Sequence, residues 1–210
     1  MILSRHQIEE YLKRGYIRVF PEDRRTVGDN GIDVTIHDVI WRQNPKRFLK
    51  KYPLFNPGNR EQIDLLWHKE VAIPYDKVMQ WYPGADLAPW SEDTKFIVLQ
   101  PHEQVLCVTY EWVGCYLDTV GYLVTRSTLG RLGWQFCACS NQANVNTCNR
   151  VVLEVVNRLE VPNFLPAGRH VIQVTFELLT TPVLPESIPS RQERMDEWKP
   201  EDMLKVFYEE

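Results

Sequence analysis

The sequence predicts an all-β protein, built as a β-sandwich or barrel, with one short helix at its N-terminus. From residue 96 onward, short segments rich in Val, Ile, Thr and aromatic residues follow one another, separated by turn residues, which is typical of such sheets. The length of 210 residues suits one domain with a substantial core. We therefore expect residues 1–210 to form a single domain.

The first 15 residues carry the signals of a short amphipathic helix. Ser4 and Gln7 have the spacing of a capping box, in which two side chains satisfy backbone groups at the helix start. Ile8 and Leu12 then lie on one helical face, and Gly15 follows as a stop signal. We predict a helix of about three turns between the cap and this glycine.

Eight further segments have the composition of β-strands. Val, Ile, Thr and aromatic residues are frequent in them, and turn residues separate them. Pro21 ends the first, because proline cannot donate a ladder hydrogen bond. The predicted strands are Ile17–Phe20, Ile32–Trp41, Phe96–Leu99, Glu103–Tyr110, Gly121–Thr125, Trp134–Cys139, Arg150–Asn157 and His170–Glu177.

Residues 43–95 interrupt this strand pattern. They contain six prolines, a density that breaks long helices and central strands. They also contain Trp67, Trp81 and Trp90, whereas disordered linkers are poor in aromatic residues. Too few periodic segments are present to close a separate core, so we predict an ordered excursion that packs on the main body.

The C-terminal segment, residues 182–210, is a charged tail that contains prolines. Weak helical character is present at Glu201–Tyr208. A tail of this composition is either disordered or folded over a site, and both interpretations stay open.

Composition excludes several classes of function. The net charge of -4 gives no indication of a broad basic surface for nucleic acid. The N-terminus is charged throughout, unlike a signal peptide, and no apolar run approaches the ~20 residues that span a bilayer. Five cysteines, an odd number, fit reduced thiols better than a disulfide framework. We therefore expect a cytoplasmic protein that binds neither nucleic acid nor membrane.

The segment RSTLGRLG, residues 126–133, is the most informative part of the chain. Arg126 and Arg131 flank the hydroxyl residues Ser127 and Thr128 on a predicted turn that leads into a helix. Arginine presents a planar fork of donors that matches phosphate oxygens, and hydroxyl and helix-start N–H groups add further donors. The pattern indicates a phosphate site, although a capped surface turn with two solvated arginines explains it equally well.

A glutamate stands in the middle of the apolar segment VVLEVVN, residues 151–157. Strand alternation places Val152, Glu154 and Val156 on one face of this strand. Burying an unpaired charge is costly, so such a glutamate is usually paired, protonated or functional. A buried glutamate can act as a general acid and base, and the alternative is a solvent-facing position on a half-exposed strand.

Together, these two segments resemble the deoxycytidine-triphosphate (dCTP) deaminases. That family carries an Arg-Ser-Ser-Leu-Ala-Arg-Leu-Gly motif, followed at a fixed interval by a strand with the pattern Val-Leu-Glu. The separation between Arg126 and Glu154 is similar to that in the bacterial enzymes.

Other parts of the chain resemble the same family. The Pro-x-Gly turn at 166–168 and the apolar strand at 171–176 look like variants of the segments that follow the glutamate. The start of the chain, with the strand at 31–36, is similar to the family's N-terminal helix and Ser-x-Asp-Leu-x-Leu strand. The resemblance covers roughly residues 1–42 and 96–182, and the excursion is longer and more aromatic than the bacterial pattern.

The resemblance implies a fold, an assembly and a reaction. The fold is a distorted β-barrel or jelly roll of the deoxyuridine-triphosphatase (dUTPase) type, assembled as a homotrimer with sites between subunits. The reaction is zinc-independent deamination of dCTP or a close relative. Glu154 is the implied general acid and base, which activates a water that attacks C4 of cytosine so that ammonia leaves. Mg²⁺ is carried by the triphosphate and needs no protein ligands.

The resemblance also implies roles for the other site residues. The arginine motif holds phosphates or positions the water, and backbone groups of the glutamate strand line the base pocket. The implied substrate-binding residues are Arg126, Ser127, Thr128, Arg131, Val152 and Leu153. The His-x-Glu and Pro-Cys-x-x-Cys signature of zinc deaminases is absent, and we interpret Cys137 and Cys139 as buried structural thiols.

One departure from the family pattern concerns the sugar side of the site. Asn144 stands where the family has an aspartate that contacts the deoxyribose and, in the triphosphatase branch, activates the hydrolytic water. We expect Asn144 to remain a substrate-binding residue, but an amide cannot accept a proton in that role. Gln142 also replaces a common arginine. Diphosphate release from dUTP is therefore not expected by the usual route.

The C-terminal lid, which closes on the nucleotide in this family, also differs from the family pattern. Deaminases carry Tyr, Lys and Gln there, and ungapped extension places Ser187, Arg194 and Trp198 at those positions. Arg194 keeps a cation that can bind phosphate.

Several functions remain open from the sequence. The substrate is dCTP or a modified or less phosphorylated pyrimidine deoxynucleotide, and the departures suit a divergent branch such as a phage or viral member. One alternative is a family member that binds nucleotides as a regulatory protein without turnover. Others are a dUTP diphosphatase and a capsid-like or interaction β-barrel, whose aromatic excursion supplies a partner surface.

Overall fold

The computed structural model describes residues 1–136 and 141–183, and most of these lie in or between β-strands. The mostly-β class with a short N-terminal helix is confirmed. Predictions for Cys137, Cys139, Ser187, Arg194, Trp198 and the tail beyond residue 183 lie outside the described residues. The single domain over residues 1–210 therefore stays a prediction. Within the described ranges, none of the helices has the length and apolar character needed to cross a bilayer.

The described helices are α1 (Arg5–Arg14), α2 (Pro45–Leu49), α3 (Arg60–Leu66), α4 (Tyr75–Trp81) and α5 (Ser127–Arg131), with a 3-10 turn at Glu22–Arg24. The described strands are β1 (Ile17–Phe20), β2 (Thr26–Val27), β3 (Ile32–Gln43), β4 (Trp67–Val71), β5 (Ile73–Pro74), β6 (Lys95–Leu99), β7 (Gln104–Cys115), β8 (Thr119–Thr125), β9 (Trp134–Phe136), β10 (Gln142–Ala143), β11 (Thr147–Asn157), β12 (Asn163–Pro166) and β13 (His170–Leu178).

Helix α1 forms as its capping signals predict. The Ser4 N–H donates to Gln7 Oε1 at 3.0 Å, which completes the capping box. Gly15 ends the helix in the left-handed conformation with φ 76°, which glycine adopts without a Cβ clash. Ile8 is fully buried in the main core, so the helix packs on the sheet through its apolar face.

A long antiparallel sheet curls into a half-barrel. Among the described residues its strand order is β10-β8-β13-β3-β7-β11-β9, with β1 added on β7 and with β2 and β4 added on β3. Strand β3 connects the two halves of the curled sheet, because its first residues pair with β13 and its later residues pair with β7 and β4. A smaller sheet, β12-β6-β5, lies beside it.

The main core fills the inside of this curl. Strand alternation sends Val105 and Cys107 of β7 and Leu153 and Val155 of β11 into it, all without solvent exposure. Complete burial of each such aliphatic side chain stabilises the fold by about 1.5–3 kcal/mol. The inside face therefore fixes which residues of β7 and β11 lie on the outside face.

The excursion between residues 43 and 95 packs on the outside of the sheet. Ile63 of α3 and Trp67 of β4 join Trp41, Leu106 and Val108 in a second buried cluster. A third cluster forms around α4 and β6 and contains Val78, Leu87, Phe96 and Val98. The prolines limit the excursion to helices of five to seven residues, as their spacing predicts.

Strand β7 continues beyond its predicted end at Tyr110 and runs to Cys115. Glu111, the first residue past the predicted end, is fully buried within the strand. Its carboxylate accepts hydrogen bonds from the Thr35 N–H and the Thr35 hydroxyl, each at 2.7 Å. The two hydrogen bonds give both buried carboxyl oxygens a partner, so the strand is not interrupted.

Both neighbours of β7 change register beside this glutamate. The pairing of β3 shifts between Ile36 and Ile40, and the pairing of β11 shifts between Arg150 and Val152. The Thr109 hydroxyl donates to the Glu111 carbonyl at 2.7 Å and accepts from the Val151 N–H at 2.9 Å. Buried side chains thus replace the ladder hydrogen bonds that the register shifts remove.

Replacing Glu111 by leucine is expected to lower the free energy of unfolding by about 3 kcal/mol, because it leaves two buried Thr35 donors without an acceptor. Urea denaturation followed by circular dichroism measures this loss. The matched control is Glu177→Leu, at a half-buried glutamate of β13. Equal and small losses in both variants would show that the Glu111 carboxylate does not hold β3 against β7.

Candidate active site

The arginine motif lies where β8 leaves the sheet. Strand β8 ends at Thr125, and α5 follows as a single helical turn. In this turn the Leu129 N–H donates a hydrogen bond to the Arg126 carbonyl at 2.9 Å. Leu129 packs against the main core and anchors this turn. The side chains of Arg126, Ser127, Thr128 and Arg131 are all exposed. The cations and hydroxyls therefore face solvent, where an anion can reach them.

Arg126 is held by a carboxylate from another strand. Its Nη1 atom lies 2.5 Å from Asp33 Oδ2, and the Asp33 side chain is only 14% exposed. Asp33 belongs to β3, so Arg126 reaches across β13, which lies between β8 and β3. This pair orients the guanidinium and neutralises part of its charge. Sequence reasoning gave Asp33 no role, although an acid within an apolar strand was the available signal.

Arg131 differs from Arg126 in its electrostatic surroundings. No ion pair joins it to another residue within 1–136 or 141–183, and its side chain is exposed. The next residues, Leu132 and Gly133, close the turn. Arg131 is consequently the more available of the two cations for an incoming phosphate.

Glu154 lies on the outside face of β11. It pairs with Leu106 of β7, and its neighbour Val152 packs against the second buried cluster. The Glu154 side chain is half-buried, and its Oε2 atom is inaccessible to solvent without a hydrogen-bond partner among the described residues. A buried carboxylate oxygen without a partner is unfavourable, so this oxygen is suited to accept a proton or a hydrogen bond from a ligand.

Val152 and Leu153 offer different groups to such a ligand. The Leu153 side chain is fully buried in the main core, so only its backbone is available. The Val152 side chain lies on the outside face next to Glu154 and supplies an apolar surface. These positions are compatible with backbone recognition of a base edge beside the carboxylate.

Strand β9 connects the arginine motif to the glutamate strand. The Thr125 hydroxyl donates to the Phe136 carbonyl at 3.3 Å, and Phe136 pairs with Val155, next to Glu154. Among the described residues, no hydrogen bond or ion pair joins the motif directly to Glu154. The two groups are thus tied to one sheet without forming one contact network within the chain.

Asn144 lies apart from the arginine motif in one chain. It follows β10, whose Ala143 pairs with Gly121 of β8, and Arg126 comes five residues later along that strand. A rise of 3.3 Å per residue corresponds to roughly 16 Å. The Asn144 carbonyl accepts from the Thr147 hydroxyl at 2.7 Å, and its side chain is exposed. The structure therefore does not bring Asn144 to Arg126 within a single chain.

The described residues contain no group of three or more His, Cys, Asp or Glu side chains that could hold a metal ion. The described cysteines, Cys107, Cys115 and Cys148, are buried. Burial raises the pKa of the Cys107 thiol above its usual range and that of Cys115 to about 12. Both thiols are therefore protonated and poor metal ligands.

The sequence matches those of known proteins over most of its length. A family model described as dCTP deaminase-like matches residues 2–179. A relative from Methanobrevibacter smithii, named dCTP deaminase, dUMP-forming, is 28% identical over 99% of this chain and 97% of its own. A dCTP deaminase from Psychromonas ingrahamii is 30% identical over 87% of this chain and 86% of its own.

A solved structure supports the fold. The 2'-deoxycytidine 5'-triphosphate deaminase from Agrobacterium tumefaciens superposes with a TM-score of 0.54 at 14% identity. The match covers 84% of this chain and 47% of that one, so this chain spans about half of its length. At this identity the likeness bears on the fold alone, and it agrees with the predicted dUTPase-like barrel class.

The Arg126–Asp33 pair makes a testable contribution to stability. A double-mutant cycle of Arg126→Ala and Asp33→Ala is expected to give a coupling of about 0.5–1 kcal/mol, a low value because Arg126 is 44% exposed. Urea denaturation measures it. The control cycle pairs Arg131→Ala with Asp33→Ala and should give no coupling. Equal coupling in the two cycles would mean that Asp33 acts on the whole motif rather than on Arg126.

Proposed function

Because the chain belongs to the dCTP deaminase-like family, we propose that it converts dCTP, or a closely related pyrimidine deoxynucleotide, to the uracil form with release of ammonia. The observation that carries this proposal is Glu154, whose half-buried carboxylate has one buried oxygen without a described partner. A binding protein gains nothing from such a carboxylate near a triphosphate, whereas a hydrolytic deaminase requires it as a proton carrier.

The chemistry uses one carboxylate for two proton transfers. Glu154 takes a proton from a water as the water oxygen bonds to C4 of the pyrimidine. As the water oxygen adds, the C4–N3 double bond opens and its electron pair moves to N3. The proton held by Glu154 then passes to the amino group at C4, and the proton of the new C4 hydroxyl passes to N3. The bond from C4 to the amino nitrogen breaks, the C4 carbonyl forms and ammonia leaves. Val152 and Leu106 supply apolar surface beside the carboxylate, and this surface limits competing water. Backbone groups of Val152 and Leu153 contact the base edge. No zinc is needed.

The phosphates bind at the arginine motif. Arg131 supplies a guanidinium that forms no ion pair with any described residue, and Arg126 supplies one that Asp33 holds in place. Ser127 and Thr128 add hydroxyl donors at the start of α5. Arg194, in the tail, adds a further cation. Mg²⁺ is held by phosphate oxygens of the substrate rather than by side chains of the protein.

We further propose that the complete site forms between subunits of a cytoplasmic homotrimer. Within one chain, Arg126 lies five residues, or roughly 16 Å, beyond Gly121, the partner of Ala143, and Asn144 lies one residue further from Arg126 than Ala143 does. A second subunit is therefore the simplest way to bring an arginine motif, Asn144 and a glutamate strand to one nucleotide. Asn144 then contacts the sugar through its amide.

Two products are conceivable, and Asn144 favours one of them. The relative from M. smithii is named for formation of dUMP, which requires diphosphate release in addition to deamination. An amide at position 144 cannot accept the proton of a hydrolytic water. We therefore propose dUTP, rather than dUMP, as the product from dCTP, and we place dUTP diphosphatase activity second.

Chromatographic product analysis tests the function. The purified protein with Mg²⁺ is incubated with dCTP, dCMP, dUTP and a 5-substituted dCTP. We expect dUTP and ammonia from dCTP, at a rate that strong chelation of zinc does not change. Saturable binding of these nucleotides without any product would contradict deamination and would favour a regulatory nucleotide-binding protein.

Replacing Glu154 by glutamine is expected to abolish turnover but to leave nucleotide affinity within about tenfold, because the change removes the proton carrier and keeps the shape. Ammonia release measures the first effect, and isothermal titration calorimetry measures the second. Glu160→Gln, at an exposed glutamate after the same strand, is the control and should retain turnover. Wild-type turnover in Glu154→Gln would refute the assigned mechanism.

Replacing Arg131 by alanine is expected to weaken triphosphate binding by about 1.5–3 kcal/mol, the range for a charge-assisted hydrogen bond. Titration with dCTP in the Glu154→Gln background measures the affinity without turnover. Arg14→Ala, on α1 far along the chain from the motif, is the control. An unchanged affinity in Arg131→Ala would remove the phosphate role from this residue.

A further inference from the structure

A second polar group lies on the same outside face of the sheet as Glu154. Strand β7 directs Leu106, Tyr110 and Trp112 to this face by its alternation. Glu154 pairs with Leu106, and Arg150 pairs with Trp112. Residues that pair directly across an antiparallel ladder share a face, so Arg150 and Glu154 lie on one side of β11.

The guanidinium of Arg150 contacts two aromatic rings. Its guanidinium carbon lies 5.5 Å from the centre of the Trp112 ring and 5.9 Å from the centre of the Tyr110 ring. Its Nε atom is inaccessible to solvent and has no hydrogen-bond partner among the described residues. A buried donor on a cation is costly when no acceptor is present, so this atom is prepared for an acceptor that the chain alone does not supply.

The surroundings of Arg150 carry an excess of positive charge. Arg24 lies 4.0 Å over the Tyr110 ring, and His37 stacks on that ring at 4.4 Å. The nearby carboxylate of Asp38 already bonds His37 and Lys95. Within 1–136 and 141–183, no carboxylate forms an ion pair with Arg24 or Arg150. Two guanidinium groups thus face one surface without a described counter-ion.

We propose that Arg150, supported by Tyr110 and Trp112 and assisted by Arg24, binds a phosphate group of the nucleotide whose base reacts at Glu154. The assignment rests on the proposed function. Arginine forks match phosphate oxygens and stack on aromatic rings, which are the two features present here. Arg150 and Glu154 are four positions apart along β11, or roughly 13 Å, which is comparable to the span from base to phosphates in a nucleotide.

This contact makes Arg150 a specificity-determining residue for the number of phosphates on the substrate. A nucleotide that reaches both Glu154 and Arg150 must extend along β11, so a nucleoside cannot use the second contact. The arginine motif at 126–131 of a neighbouring subunit supplies the other phosphate contacts in the proposed trimer. A competing occupant of the same surface is a carboxylate from a second copy of this chain, and the experiment below separates the two.

Isothermal titration calorimetry with the full chain tests the assignment. The probes are inorganic tripolyphosphate and deoxycytidine with the otherwise unchanged protein, and dCTP in the Glu154→Gln background. We expect Arg150→Gln to weaken tripolyphosphate and dCTP by about tenfold or more and to leave deoxycytidine unchanged. Arg24→Gln should cause a smaller loss of the same kind. The control is Arg14→Gln, on α1, where an ion pair with Glu10 occupies the guanidinium.

Unchanged affinities for tripolyphosphate and dCTP in Arg150→Gln and Arg24→Gln would overturn the assignment. A change of solution mass by light scattering in Arg150→Gln, with phosphate affinity retained, would also overturn it in favour of a partner carboxylate. If Arg150→Gln fails to fold, the result for Arg24→Gln decides, because the Arg24 side chain is exposed.

Arg150-dependent tripolyphosphate binding without ammonia release from the wild-type protein would overturn the proposed function alone. Ammonia release with an unchanged KM for dCTP in Arg150→Gln would overturn this assignment alone.

Discussion

The fold and the candidate site both depend on the hydrogen bonds that the buried side chain of Glu111 accepts. Glu111 has no solvent exposure, and its two hydrogen bonds come from the backbone and the hydroxyl of Thr35. Because Thr35 belongs to β3, these bonds fasten β3 to β7 at the point where the ladder between them loses register. The Thr109 hydroxyl does the same for β11. A buried carboxyl group, which would be unfavourable without partners, thereby defines the local geometry.

That geometry determines what the outside face of the sheet presents. The register shift in β11 lies between Arg150 and Val152, so the cation and the carboxylate flank it on one face. The excursion covers the neighbouring surface with Trp41, Trp67 and other members of the second cluster. The carboxylate of Glu154 thus lies at the border of an apolar region, where electrostatic interactions are stronger than in water.

Local patterns in the sequence predict much of this arrangement. Alternation along residues 151–157 separates Leu153 from Val152 and Glu154, and the Ser4–Gln7 spacing predicts the cap of α1. Both features depend on residues close together in the chain. The proposed roles in substrate binding and catalysis remain predictions, because they concern a ligand rather than the fold.

Long-range contacts account for what the sequence pattern missed. The predicted end of β7 at Tyr110 was wrong because the partner of Glu111 lies 76 residues away. The Arg126–Asp33 pair joins residues 93 apart, and neither hydrophobic periodicity nor turn signals carry information at that separation. The contacts of Arg150 with Tyr110 and Trp112 likewise depend on the register between β11 and β7, two strands that are far apart in the sequence.

A crystal structure of Glu154→Gln with dCTP and Mg²⁺ tests whether the pyrimidine base binds at residue 154. We expect the C4 amino group to lie about 3 Å from the side chain of residue 154 and the phosphates to contact arginine side chains. A nucleotide bound instead in the pocket beside α4, which Lys77, Trp81 and Tyr82 line, would contradict it.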